Sequence, residues 1–352
     1  MLFAGGGTGG HTYMAVALAR ELQNTRPGVE FLFVDGKRGV GKRILEAFDF
    51  PLKTIPVGGL KGTGWGRRII TLVQLPGSLA ASAGIIRGFD PGIIVGLGGY
   101  ASGPVLAAGR ILGVPLLLIE PNVVPGLANR IAGRFAQGVA VAFEVTAARF
   151  GTIARRTGVP VREEFYRLQT AVSREGPLRL LVFGGSQGSR PINRLVCEAL
   201  PLLPAGRFHV VHQTGLADCF AVRKRHQELG LASEVVDFIE DMPARFDGAD
   251  LVLCRAGAST IAELTAAGKA SVLIPFPGAA DDHQRRNAEV LAGRKAAVLL
   301  DQAGTDGEKL ASLLIELERD RERLERMSEA ARTLARIDSR RRIVEFMEEL
   351  SR

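Results

Sequence analysis

Apolar residues in this 352-residue chain come in short runs, each closed by glycine, proline or asparagine and followed by a helix-length segment of mixed polarity. Residues 1–4, 30–35, 93–97 and 115–119 read as buried strands in the first half. Residues 178–183, 208–212, 234–238, 251–253 and 270–275 repeat the pattern in the second half. Residues 11–24 predict the helix after the first strand. Strands alternating with helices imply an α/β protein with mostly parallel sheets. From 306 onward the chain reads as a charged helical tail, with Leu310, Leu313, Leu314, Leu317 and Leu324 spaced as one buried stripe. The length favours two domains. We expect them at 1–160 and 177–335, joined by a polar linker at 161–176 that contains Arg162, Glu163 and Glu164. The last helix, 336–352, is expected to pack back on the first domain.

Two of the predicted strands end in similar turns, GGGTGGH at 5–11 and GGSQGSR at 184–190. A glycine turn between strand and helix lets backbone N–H groups approach an anion at the helix's positive end. One such turn is weak evidence. Two, half a chain apart, suggest paired domains facing each other across a cleft, each with a site for a phosphorylated ligand.

Composition narrows the setting. No run reaches the ~18 apolar residues of a spanning helix, and no basic segment followed by an apolar stretch opens the chain, so no signal peptide is expected. Cys197, Cys219 and Cys254 lack metal-ligand spacing and fit a reducing compartment. Of 45 Lys+Arg and 37 Asp+Glu, residues 1–162 hold 18 and 8, a balance of +10, which leaves 27 and 29 for the rest. That excess predicts an anionic partner for the first domain. No nucleic-acid motif or aromatic series accompanies it, so nucleic acid is not expected. Basic and bulky apolar residues share the stretch 60–75, with Lys61, Trp65, Arg67, Arg68, Ile69, Ile70, Leu72 and Val73. Two readings stand there: a surface for anionic membrane, or an amphipathic helix with a basic outer face.

Ligands of open α/β sheets bind beyond the carboxyl ends of the strands. The distinctive residues fall there: His11, GLGGYASGP at 96–104, Glu120, Asn122, FIEDM at 238–242, RAGASTIAEL at 255–264 and DDHQRRN at 281–287. A nucleoside diphosphate needs N–H donors for phosphate, a carboxylate for ribose and an apolar slot for the base. Residues 257–263 offer donors at a helix start and Glu263 further along, and Ile239 offers the slot. Two rivals share these residues. Residues 5–10 match GxGxxG with Asp35 at the end of the next strand, the fingerprint of dinucleotide binding. Residues 184–188 match GxSxG, and Asp250 and His283 follow Ser186 in hydrolase order.

Taken together, in this order and spacing, GGGTGGH, GLGGYASGP, GGSQGSR, FIEDM, RAGASTIAEL and ADDHQRRNA closely resemble the MurG family of N-acetylglucosaminyltransferases, over nearly the whole chain. The resemblance implies a GT-B fold of two Rossmann-like domains. It also implies peripheral attachment to the cytoplasmic face of the cell (inner) membrane, among the proteins of cell-wall synthesis. The implied reaction is an inverting transfer from UDP-N-acetylglucosamine to the C4 hydroxyl of undecaprenyl-pyrophosphoryl-N-acetylmuramyl-pentapeptide, lipid I to lipid II, with no cofactor or metal required. Carried over by position, Ile239 would meet uracil and Glu263 the ribose. Ser186 and the turn of Gly257, Ala258 and Ser259 would meet the donor diphosphate, with Arg162. Gln284, His283 and Asn122 would hold the sugar. Thr8, Gly9 and Gly10 with Gly98, Gly99 and Tyr100 would take the acceptor. His11 is the candidate base, with an orienting role as its alternative; Glu120 is the other candidate base, or a structural carboxylate.

The chain departs from the family at one loop. The usual His-Glu-Gln-Asn reads Ile119-Glu120-Pro121-Asn122, so two polar contacts are missing on the acceptor side. A proline expected soon after the first histidine is also absent. Another lipid acceptor, or a non-catalytic nucleotide-sugar-binding protein, is the alternative these changes leave open.

Overall fold

The computed structural model describes residues 1–6, 9–36, 40–57, 65–169 and 172–351, with side chains except at 40 and 65–74. Thr8 and most of the 60–75 stretch, Lys61, Trp65, Arg67, Arg68, Ile69, Ile70, Leu72 and Val73 among them, therefore lie outside the described residues or side chains. The chain divides into two compact units, Met1–Arg162 with Arg336–Arg352, and Glu163–Ala335.

In chain order the first unit runs β1 (Leu2–Gly5), α1 (Gly9–Thr25), β2 (Leu32–Gly36), α2 (Val40–Ala47), β3 (Leu52–Ile55), α3 (Trp65–Phe89), β4 (Ile94–Gly98), α4 (Ser102–Ile111), β5 (Leu116–Glu120), α5 (Leu127–Ala132), β6 (Gly138–Val141), α6 (Glu144–Ala147) and β7 (Ala154–Arg156). The second runs α7 (Glu163–Tyr166), β8 (Leu178–Phe183), α8 (Arg190–Ala199), β9 (Phe208–Gln213), α9 (Cys219–Glu228), β10 (Ser233–Val236), α10 (Met242–Asp247), β11 (Leu251–Cys254), α11 (Ala258–Ala267), β12 (Ser271–Leu273), α12 (His283–Gly293), β13 (Ala297–Leu299), α13 (Gly307–Arg319) and α14 (Arg321–Thr333). Then α15 (Ser339–Leu350) returns to the first unit.

Both sheets are parallel throughout, ordered β3-β2-β1-β4-β5-β6-β7 and β10-β9-β8-β11-β12-β13. Each is a doubly wound order in which the chain reverses direction of growth beside its first strand, and a crevice opens at that point. A sheet covered on both faces needs apolar residues at every position of its central strands. The first unit shows this: Phe3, Phe33, Val95 and Leu117 join one core, while Leu2, Ala4, Ile94, Leu116 and Leu118 join the other.

The strands that the apolar runs left out are β3, β6, β7 and β13. Three are edges or short: β3 reads LKTI and β7 reads ARR, with their central side chains exposed, and β13 has three residues. β6 reads GVAV, and its glycine has a packing cause. A Cβ on Gly138 would stand 2.5 Å from the Phe346 ring of α15. Ile343, Val344, Phe346 and Met347 of α15 complete that core.

The 161–176 stretch does not behave as a free linker. Phe165 is fully buried, edge-on to Phe246 at 5.2 Å. Lys269 Nζ donates to Gln169 O at 3.1 Å, and Arg332 donates to Leu168 O at 2.6 Å and Tyr166 O at 3.2 Å. Its side chains read as a polar linker, whereas its backbone carbonyls accept from the buried Lys269 and the part-buried Arg332. Among the described residues no helix is long and apolar enough to cross a membrane.

Candidate functional site

In the second unit the turn 184–189 leaves β8 and enters α8, where Pro191 lies in the first turn. Its glycines are demanded by neighbours. At Gly188 (φ +75°) a Cβ would overlap the Thr214 carbonyl oxygen, and at Gly215 (φ +79°) one would overlap the Gln187 carbonyl oxygen. The turn and the end of β9 thus meet backbone to backbone. Gly185 (φ +101°) has nothing within 4 Å of such an atom, so that side of the turn is open. Gln213 Nε2 donates to Gly185 O at 3.1 Å and steadies it.

Behind the turn lies a polar chain. Asn193 Nδ2 donates to Thr214 O and Asp218 Oδ2, both at 2.9 Å, so its Oδ1 must accept from His212 Nε2 at 3.1 Å. His212 Nδ1 then accepts from His226 Nε2 at 3.4 Å. Burial drives the pKa of His212 down to about 3, with a smaller push from His226, and that of His226 to about 4. Both rings are neutral at neutral pH.

Arg255 follows β11 and is almost fully buried. It donates to Ile274 O and Pro275 O, each at 3.0 Å, to Ser189 Oγ at 2.8 Å and to Gln302 Oε1 at 2.7 Å. None of these is a carboxylate. Burial lowers its pKa to about 10, so it remains charged and, with no carboxylate bound to it among the described residues, sets a positive charge under the glycine turn. Within the 255–264 motif the sequence gives Arg255 no role of its own, and only its partners in the fold mark it out.

The remaining second-unit residues lie beyond the same strand ends. Gly257 precedes α11, Ala258 and Ser259 form its first turn, and Glu263 is half-buried further along it. The Glu263 carboxylate, after burial itself, raises the pKa of the Cys254 thiol, which places its charge near the end of β11. Gln284 Oε1 accepts from Phe276 N at 2.9 Å, and His283 Nδ1 donates to Ala280 O at 2.7 Å. Ile239 is largely buried in the loop after β10, and Asp241 caps α10 just beyond it. Ser186 lies in the open turn. The fold therefore brings Ser186, Ile239, the 257–259 turn, Glu263, His283 and Gln284 to one end of one sheet. Among the described residues no group of three or more His, Cys, Asp or Glu could hold a metal ion.

Asn122 and Arg162, expected at the donor, belong to the first unit. Arg162 stacks over Tyr13, its guanidinium carbon 4.5 Å from the ring centroid. Asn122 donates through N and Nδ2 to Glu120 Oε1, at 3.0 and 3.1 Å.

The first unit repeats the glycine device at its own switch point. A Cβ on Gly5 (φ +127°) would overlap Gly98 O, and one on Gly99 (φ +80°) would stand 2.6 Å from Gly6 O. Gly9 and Gly10 open α1. His11 Nδ1 donates to Gly6 O at 3.4 Å, a carbonyl that can only accept. The His11 Nε2 lies 3.6 Å from the position a Gly98 Cβ would take. Tyr100 is 45% exposed beside it.

Glu120 is 1% exposed at the end of β5 and accepts from Asn122 N, Asn122 Nδ2, Gly126 N and Asn129 Nδ2 at 2.9–3.1 Å. Desolvation raises its pKa although all four bonds oppose the shift. A carboxylate so enclosed orders the 121–126 loop, which favours the structural reading over the base.

Geometry also removes both rivals. Asp35 is 4% exposed, and its carboxylate occupies the space beside Gly6 and Gly41, where a Cβ on either would collide with it. It is not presented to a ribose. Asp250 lies at the amino end of β11, bound to Arg179 at 2.6 Å and to Ser173 N at 3.0 Å, while Ser186 follows the carboxyl end of the adjacent β8. A Ser-His-Asp triad cannot span the length of the sheet. A cavity of about 600 Å³ lined by Arg26, Phe31, Phe50 and Lys53 sits at the amino end of the first sheet, away from these residues.

Known proteins share the family and the fold. Residues 1–141 match the glycosyltransferase family 28 N-terminal domain, and residues 179–343 match the glycosyltransferase family 28 C-terminal domain. The UDP-N-acetylglucosamine--N-acetylmuramyl-(pentapeptide) pyrophosphoryl-undecaprenol N-acetylglucosamine transferase of Syntrophus aciditrophicus is 44% identical over 315 residues, 88% of this chain and 87% of the relative. The enzyme of that name from Citrifermentans bemidjiense is 40% identical over 352 residues, 99% of this chain and 98% of the relative. The crystal structure of Acinetobacter baumannii MurG aligns with a TM-score of 0.77 at 29% identity, covering 99% of this chain and 98% of that one. The UDP co-structure of S. aureus MnaA, at 13% identity and TM-score 0.71 over 99% and 95%, shares the fold.

Proposed function

The chain belongs to the family of UDP-N-acetylglucosamine--N-acetylmuramyl-(pentapeptide) pyrophosphoryl-undecaprenol N-acetylglucosamine transferases, and from that premise we propose its reaction and the residues that carry it. It transfers N-acetylglucosamine from UDP-N-acetylglucosamine to the C4 hydroxyl of the lipid-linked N-acetylmuramyl-pentapeptide, turning lipid I into lipid II for peptidoglycan. Identity of 40% or more along nearly the whole chain carries this reading. The GT-B fold class expected for it is met by two Rossmann-like units with parallel sheets.

We assign the donor to the second unit and the acceptor to the first. Ser186 and the 257–259 turn supply N–H and hydroxyl donors to the diphosphate, and Arg255 supplies the fixed positive charge that steadies UDP as it departs. Glu263 accepts from the ribose hydroxyls, Ile239 faces uracil, and His283 and Gln284 meet the sugar. Gly9, Gly10, Gly98, Gly99 and Tyr100 meet the acceptor's pyrophosphate region. In the transfer the C4 oxygen bonds to the anomeric carbon as the bond to the UDP oxygen breaks, with inversion. His11, held at the first glycine turn through its Nδ1 contact to Gly6 O, takes the C4 proton.

The enzyme works peripherally at the cytoplasmic face of the membrane, its first unit's excess of positive charge drawn to anionic lipid. The deciding assay is transfer of radiolabelled N-acetylglucosamine from UDP-N-acetylglucosamine to a lipid I analogue, with and without EDTA. We expect transfer that EDTA does not change. Donor binding without transfer would point to another lipid acceptor or a non-catalytic role.

A further inference from the structure

Gln213 is the last residue of β9, and the parallel register sets it level with Phe183, the last of β8, and Val236, the last of β10. It therefore stands between two loops. The 184–189 turn leaves β8 on one side, and the 237–241 loop, which carries Ile239, leaves β10 on the other. Gln213 is 1% exposed and bonds to both of them. Its Nε2 donates to Gly185 O at 3.1 Å and to Asp237 O at 3.4 Å. A carbonyl only accepts, so both bonds come from the amide nitrogen and the orientation of the side chain is settled. Each carbonyl has a backbone donor as well. Gly185 O accepts from Gly188 N at 2.9 Å, and Asp237 O accepts from Gly215 N at 3.1 Å.

A buried strand end in a sheet covered on both faces is ordinarily aliphatic, and burying an amide is unfavourable unless its donors are used. The two carbonyls account for the glutamine. β10 is the edge strand of this sheet and pairs with β9, so the loop that follows it is located through β9 and through Gln213. In a nucleotide the base and the diphosphate are joined through one ribose. A protein that binds both ends gains fully from the second contact only if its two sites already stand at that separation. We propose that Gln213 is the positioning residue that sets this separation, holding the base loop at a fixed reach from the phosphate turn so that uracil is selected once the diphosphate is seated. This rests on the second unit being the UDP-sugar site. Gln213 acts through Gly185 and Asp237 and not by contact with the donor.

The test is calorimetry on the full chain with UDP and CDP, which share ribose and diphosphate and differ only in the base. The unsubstituted protein should prefer UDP. Gln213→Met, similar in length and without a donor, should weaken UDP binding by about tenfold, the scale of one or two lost hydrogen bonds. CDP binding should fall much less, so that most of the preference disappears. Gln213→Glu puts acceptors where the donor was; it should show the same selective loss and serves if the methionine variant does not fold. A residue that only stabilised the fold would scale both nucleotides alike. Equal affinities for UDP and CDP in the unsubstituted chain, equal losses in the variants, or an unaltered preference would therefore overturn the proposal. No binding of any uridine nucleotide by the unsubstituted chain would overturn the donor reading itself.

Discussion

Mild acid should loosen the second unit through two buried imidazoles, and the size of the effect follows from their placement. His212 and His226 are each about 1% exposed or less, and burial holds their pKa at about 3 and about 4 against an ordinary 6.5. A base whose folded pKa is depressed binds protons more readily once unfolded. Stability is therefore full above pH 6.5 and falls as pH drops toward the folded values. At pH 5 both folded pKa values are still below the pH, so the loss depends almost wholly on the unfolded value. It amounts to about 2 kcal/mol per imidazole, 1.5 pH units at 1.36 kcal/mol each. About 4 kcal/mol for the pair is a large share of a domain's typical 5–15 kcal/mol. Asp250, whose pKa lies below its ordinary 3.8 because hydrogen bonds to Arg179, Ser173 N and Arg179 N outweigh its desolvation, adds acid sensitivity only at lower pH. Glu120, raised by burial, acts in the opposite sense and in the first unit. Urea unfolding followed by circular dichroism at pH 8, 7, 6 and 5 should show stability falling below pH 6.5. His226→Leu, similar in volume and unable to titrate, should reduce the slope by about one proton. A flat profile between pH 7 and 5, or an unaltered slope in His226→Leu, would refute the reasoning.

Three further outcomes bear on the site. Gly188→Ala combines a left-handed φ with overlap of the Thr214 carbonyl, so it should cost roughly 3–5 kcal/mol, against roughly 1–2 kcal/mol for Gly185→Ala, where only φ opposes the change; similar unfolding midpoints for the two would contradict the backbone-to-backbone contact. Glu263→Ala should weaken UDP-N-acetylglucosamine binding by roughly 1.5–3 kcal/mol through loss of charged acceptors for the ribose, and unaltered affinity by calorimetry would remove the assignment. His11→Ala should lower turnover far more than donor affinity, whereas near-normal turnover at saturating acceptor would exclude it as the base.

Much of this was legible before any coordinates. The two glycine turns were recognisable because a strand-to-helix anion turn needs residues without side chains in consecutive positions, and few other sequences look alike. The central strands were legible because a doubly covered sheet demands unbroken apolar runs. The edge strands β3 and β7 escaped because their side chains face solvent, and the polar 161–176 stretch misled because its carbonyls, not its side chains, bind Lys269 and Arg332. Arg255 went unassigned since nothing in its local sequence distinguishes a buried cation from a surface one.

By itself, then, the order of residues determined the α/β class, the doubled plan, the family and most of the residues at the strand ends, all of which depend on local pattern. Only tertiary structure decided what each polar group does. It tucked Asp35 beside Gly6 and Gly41, sent Asp250 to the far end of its sheet from Ser186, and enclosed Glu120 in four hydrogen bonds. It also set a buried Arg255, hydrogen-bonded to carbonyl, hydroxyl and amide oxygens, under the second glycine turn. Charge and hydrogen-bonding capacity are properties of a residue, but burial and partners come from segments distant in the chain, and those settle whether a carboxylate binds, reacts or holds a loop.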